Sequence, residues 1–106
     1  MTPQQIAEVR LVGRTVLIRD NMAGVYVGTL AGIDVATDSA VLTGARQVWN
    51  WEGAAATPGI AARGIRHSGS RVGPVVGVIT FGAVCAAILC TTEGAESVMS
   101  APVWAP

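Results

Sequence analysis

From Val72 to Thr92 the chain runs for 21 residues without one charged side chain. An uninterrupted helix of that length crosses a bilayer. Gly73, Pro74, Gly77 and Gly82 interrupt this run, however, and Val, Ile and Thr are frequent between them. Glycine and proline weaken a helix interior, whereas β-branched side chains fit a pleated surface. The run therefore predicts two short buried strands, Val75–Thr80 and Ala83–Cys90, meeting near Gly82, and not a membrane span.

Composition narrows this further. A chain of 106 residues is one domain, and 51% hydrophobic content permits a core. With one Phe and one Tyr, that core must consist mainly of Val, Ala, Ile and Leu. Charged residues make up 13% of the chain, about half the usual share. So little charge cannot cover the surface, which predicts apolar surface that meets a partner, with self-assembly as the first expectation. The formal net charge of zero argues against a general nucleic-acid binder. All seven basic residues are Arg. GC-rich coding accounts for much of that bias, and Arg also suits interface ion pairs. The opening MTPQQIAEVRLVG lacks a basic segment followed by an apolar one, so no signal peptide is expected.

Along the chain, residues 1–12 read as an N-terminal arm containing a helical turn or a lead-in strand. Arg14–Arg19 and Val25–Leu30 read as a hairpin around Asp20-Asn21. Residues 34–39 (DVATDS) form a polar tip before Ala40–Thr43, Gly44 marks a bulge or bend, and Arg46–Trp51 continues extended. Thr57 as N-cap, Pro58 at the first helical position and Gly64 past the end predict a short helix. Arg66–Arg71 reads as a polar loop, Thr91 or Thr92 caps a last helix over roughly 92–99, and 101–106 is a Pro-stiffened apolar tail. The expected fold is α+β and β-rich: a small antiparallel sheet or partly open barrel of five to six short strands with one or two short helices.

Groups able to do chemistry are scarce. His67 is the only histidine, and the adjacent serines lack a nucleophile elbow. Glu93 and Glu96 fit the start of a helix, where acids answer the macrodipole. Cys85 and Cys90 on one strand would lie about 17 Å apart, beyond the about 7 Å a disulfide spans, and read as two buried thiols. No phosphate loop or metal-ligand spacing is present. An enzyme is not expected, nor a cofactor or metal.

The decapeptide ARQVWNWEGA at 45–54 is the richest segment. Strand alternation puts Ala45, Gln47, Trp49 and Trp51 on one face, opposite Arg46, Val48, Asn50 and Glu52. Two indoles side by side either pack into a core or subunit interface, or make a stacking platform for a base with Arg46, Arg63, Arg66 and Arg71 nearby. Trp104 in the tail is the other candidate contact.

These segments resemble a family of small phage and prophage proteins. Its pattern is approximately A-R-R-x-W-x-W-x-G-A, followed by a Cys-Thr segment with Ala and Ser and a P-x-W ending. Ala45, Arg46, Trp49, Trp51, Gly53 and Ala54 match, as do Cys90, Thr91, Ala95 and Ser97, and then Pro102 and Trp104. Gln47 stands where the family usually has a second Arg, and Val98 replaces a later aliphatic. The resemblance implies a phage or prophage origin and a soluble protein, and it supplies no activity. Together these readings lead to a non-enzymatic accessory protein, first a virion component of head-decoration or cement type that oligomerises and covers seams on a shell. Its expected partners are further copies of itself and a major capsid protein. The alternative is a host-takeover or anti-defence factor binding a small nucleotide or a host protein. Either places the protein in the virion or the host cytoplasm, with no membrane partner.

Overall fold

The computed structural model describes residues 1–105, so Pro106 of the tail lies outside the described residues. Helix α1 (Pro3–Arg10) is followed by β1 (Thr15–Asp20), β2 (Gly24–Asp34), a 3-10 turn (Val35–Thr37) and β3 (Ser39–Glu52). Helix α2 (Thr57–Arg63), β4 (Arg66–Val72), β5 (Val76–Phe81), β6 (Val84–Leu89) and α3 (Thr92–Met99) complete the chain. All pairings are antiparallel, and β6, β1, β2 and β3 lie side by side. β3 is long enough to take β5 along its first half and β4 along its second. The expected β-rich α+β fold is present, as a six-stranded sheet that does not close.

Both faces of this sheet are used. Val16, Ile18, Leu30, Ala40, Leu42, Ala45 and Phe81 form one core. Leu17, Val25, Val27 and Val48 form the other, with Ile60 and Ala61 of α2 and Val98 of α3 packed on them. Alternation alone explains how Leu17 and its neighbours Val16 and Ile18 serve opposite cores. In β3 the alternation is reset. Val27 pairs with Arg46 and Thr29 with Thr43, so β3 spends three steps where β2 spends two. Gly44, at φ 55, takes the extra residue as the expected bulge.

Several expectations change. The described residues form three α-helices instead of one or two. The N-terminal arm is α1: Thr2 and Gln5 form a capping box. Gln4 fastens the helix to the end of β2, donating to the Ile33 carbonyl at 2.6 Å and accepting from the Val35 N–H at 2.8 Å. Ala56, not Thr57, occupies the N-cap of α2, without a side-chain bond. The polar segment 66–71 is a strand because its backbone pairs with the twisted end of β3. The uncharged run does hold two strands, but they do not pair with each other. β5 and β6 lie on opposite sides of the sheet, and most of their side chains are exposed or half-buried. Cys85 is likewise exposed, and both cysteines are free.

Two polar residues bring these pieces together. Asp20 is buried, and its carboxylate accepts from the N–H groups of Met22 and Ala23 at 2.8 and 2.9 Å and of Ala83 at 3.0 Å. It thereby pins the β1–β2 turn to the corner where β5 passes into β6. Thr91 caps α3 by accepting from Gly94 N–H, and its hydroxyl donates to the Ala62 carbonyl of α2 at 2.7 Å. The two helices cross so closely there that a methyl group at Gly94 would overlap the Ala61 carbonyl. No helix among the described residues is long and apolar enough to cross a membrane.

Gly94→Ala should lower unfolding stability by roughly 2–3 kcal/mol, while Gly77→Ala, which opens onto free space, should change it by less than about 0.5 kcal/mol. Denaturant melts of the two variants check this. Acid titration checks Asp20. Burial raises its carboxyl, but the three backbone N–H donors outweigh that and hold it below the usual range. Its stabilisation is therefore complete above the unfolded value of about 3.9 and is lost as pH falls through the lower folded value. In Asp20→Asn the corresponding part of the acid slope should vanish.

Candidate functional site

The residues singled out in the sequence separate into three places. Arg46 is 2% exposed. Its Nε donates to the Gly73 carbonyl at 2.8 Å, and Nη1 meets the carbonyls of Val98, Met99 and Ala101 at 3.1, 3.2 and 2.5 Å. Nη2 is buried with no partner among the described residues. No carboxylate faces this cation; the one ion pair among the described residues joins Arg66 to Glu52 at 3.9 Å on the surface. The negative charge around Arg46 comes instead from the last carbonyls of α3, where the helix dipole favours a cation. Desolvation lowers its pKa from the ordinary value, but arginine starts so high that it stays charged. Arg46 is thus a structural tie across strand, helix end and the lead-in to β5.

The two indoles of β3 do not lie together on one surface. Between Val48 and Asn50 the strand advances two residues while β4 advances one. That bulge turns Trp51 toward the core already served by Val48, and it packs against the cluster that includes Ile60 and Ile65. Its Nε1 donates to the Ala54 carbonyl at 3.2 Å, closing the turn that leads to α2. Trp49 points outward, 43% exposed. The paired-platform reading required unbroken alternation, and the bulge removes it.

Trp49 finds another partner. The tail returns along β4, where Trp104 N–H donates to the Val72 carbonyl at 3.0 Å. This brings the Trp104 ring edge-on to Trp49, with centroids 5.7 Å apart. Arg71, from the preceding position in β4, lies over the Trp104 ring at 4.6 Å. Gly73 leaves room for the Trp49 ring, which a Cβ there would touch. Edge-to-face rings and a cation over an indole are each favourable by about 1 kcal/mol, so the cluster Trp49–Trp104–Arg71 is held in place while staying open to solvent. Val103 beside it is 57% exposed.

Arg66 and Arg63 do not join this cluster. Arg66 reaches Glu52 and the Ser68 carbonyl, and Arg63 ends α2 beside a shallow depression lined by Gly53, Ala54 and Pro58. His67, expected in a solvated loop, lies in β4 and donates from Nε2 to the Ser97 carbonyl at 2.7 Å. A groove of about 260 Å³ runs between α1, the 3-10 turn and β6, away from every candidate residue. No group of three or more His, Cys, Asp or Glu able to hold a metal occurs among the described residues. Sequence reasoning missed the Trp49–Trp104 pairing, whose signal was present in the P-x-W tail but needed the fold to bring it to β3.

The model of one family, described as Domain of unknown function (DUF6948), matches residues 13–98, and the chain belongs to that family. The match covers the whole sheet, α2 and nearly all of α3; α1 and the tail with Trp104 fall outside it. No curated protein and no solved structure matches the chain.

Arg46→Ala strands the helix-end carbonyls and should cost about 3–5 kcal/mol, measured by chemical denaturation. Arg46→Lys should recover only part of it, because one ammonium cannot reproduce the planar fork that serves Gly73 and α3 together.

Proposed function

Starting from that family membership, which brings no activity with it, we propose that the protein is a non-enzymatic accessory component of a virion. It acts as a head-decoration or cement protein, oligomerising and contacting the shell. The observation that carries this reading is the exposed, braced cluster of Trp49, Trp104 and Arg71. Trp and Arg are the residue types that dominate binding hot spots. Here the fold already restricts them, so little side-chain entropy remains to be lost on contact. The phage setting rests on the resemblance of ARQVWNWEGA and the P-x-W tail to phage and prophage proteins. The partner at this cluster is then a shell protein such as a major capsid protein.

Reactive groups are engaged in ways that suit this reading. Burial pushes the Cys90 thiol up to about 11, which leaves it a poor nucleophile at neutral pH. The ring of His67 is bound to a carbonyl. The alternative, a host-takeover or anti-defence factor stacking a nucleotide on the same aromatics, draws on the nearness of Trp49 to Arg71. It is the weaker reading because Arg71 already lies over Trp104 and Trp51 belongs to the core.

Quantitative protein analysis of purified virions should find the chain in many copies. Trp104→Ala should keep its fold, by circular dichroism, yet lower incorporation at least about tenfold, as expected for loss of a hot spot worth roughly 2 kcal/mol. Absence of the wild-type protein from virions, with quenching of its tryptophan fluorescence by nucleotide, would transfer the case to the alternative.

A further inference from the structure

The sheet ends on three outer strands, and two of them are guarded. β4 carries Arg66, His67 and Arg71 and is overlaid by the tail through Trp104. β6 is bulged where Ala86 and Val84 face Arg19 and Asp20, and its first residue, Val84, donates its N–H to the Asp38 carbonyl beside the groove that α1 and the 3-10 turn also line. β5 has no such cover. One side pairs with β3 in unbroken register from Ala40↔Phe81 to Ala45↔Val76. The other side pairs with no strand among the described residues.

The devices that normally protect a sheet edge are missing from this strand. VGVITF contains no charge, no proline and no bulge. Val75, Val76 and Val78 are 60%, 37% and 67% exposed. A row of unpaired backbone donors and acceptors flanked by exposed valines is a template for another strand.

We infer that β5 is a self-pairing edge: two copies of the chain join β5 to β5, antiparallel, across a twofold axis. The chemistry of the edge selects this occupant. With no charge along it, the strand offers nothing to attract an acidic or a basic partner, and its best complement is an equally uncharged strand. Antiparallel pairing about Val78 sets Val78 opposite its own copy and Val76 opposite Thr80, so valines meet at the centre, flanked by uncharged β-branched pairs. Such a pair is isologous and closed, using both β5 edges at once. Pairing of β5 with β6 of another copy would propagate without end, and the bulge in β6 and the engaged N–H of Val84 stand against a regular ladder there. β5 lies at the opposite side of the sheet from β6, so the second copy extends the sheet without displacing α2 or α3.

This inference does not depend on the shell-contact reading, since one is tested in solution and the other in virions. Light scattering after size exclusion should give twice the 10.8 kDa chain mass. Val78→Lys should halve that mass while leaving the far-ultraviolet circular dichroism unchanged, because Val78 is mostly exposed. In a Cys85→Ser background, Val78→Cys should form an intermolecular disulfide on oxidation, its Cα atoms meeting within the about 5–6 Å that a bridge needs. Leu89→Cys on β6 should not. A wild-type protein that is monomeric throughout a dilution series, or a folded Val78→Lys variant that keeps the doubled mass, overturns the inference. So does equal cross-linking at residues 78 and 89.

Discussion

A buried guanidinium facing carbonyl oxygens holds this fold together. Arg46 rises from the middle of β3 and binds both the end of α3 and Gly73, the residue that follows β4. A buried cation without a carboxylate partner is normally costly, and removing its remaining partners is worse. Here the partners are backbone carbonyls, those of Met99 and Ala101 at the end of α3 among them, where a helix leaves acceptors short of intrahelical donors. The arrangement solves two desolvation problems with one set of hydrogen bonds. It also fixes the direction in which the chain leaves α3, and so where Trp104 can land.

That dependence reaches the surface. Ala101 accepts from Arg46, and three residues later Trp104 bonds to Val72 and meets Trp49 and Arg71. The exposed aromatic cluster is therefore an extension of the buried tie. The same strand that buries Arg46 carries Trp49 outward and Trp51 inward, because a bulge separates them. Low overall charge then matters for what remains uncovered: the outer edge of β5 has no charged side chain and no covering segment among the described residues.

Much of the fold was legible in the sequence, for identifiable reasons. The β1–β2 hairpin followed from Asp20-Asn21 between two apolar runs, and the Thr91-Thr92 pair announced α3, with Thr91 proving to be the cap. Gly44 read as a bulge because glycine alone accepts that backbone conformation easily. What could not be read was long-range. Nothing local says that β5 and β6 go to opposite sides of a sheet, since an apolar run looks the same whichever neighbour it pairs with. The segment 66–71 looked like a loop because its side chains are polar, whereas its backbone bonds to β3 decide its state. The indole pair was misplaced for the same reason: one extra residue in a strand reverses every later side chain. Arg46 carried a faint signal, lying two residues before Val48 on the same face of a strand, but only tertiary structure shows helix-end carbonyls awaiting it.

The most direct test of this account is the solvent exchange of the Arg46 Nε–H, followed by nuclear magnetic resonance on the uniformly nitrogen-15-labelled protein. The other six arginines are exposed, so their Nε–H signals exchange rapidly with water. If Arg46 ties β3 to Gly73 and α3, one Nε–H signal should persist with exchange orders of magnitude slower, and it should disappear in Arg46→Lys. Seven fast-exchanging arginine signals, in a protein that is otherwise folded, would contradict the buried tie and the placement of Trp104 that depends on it.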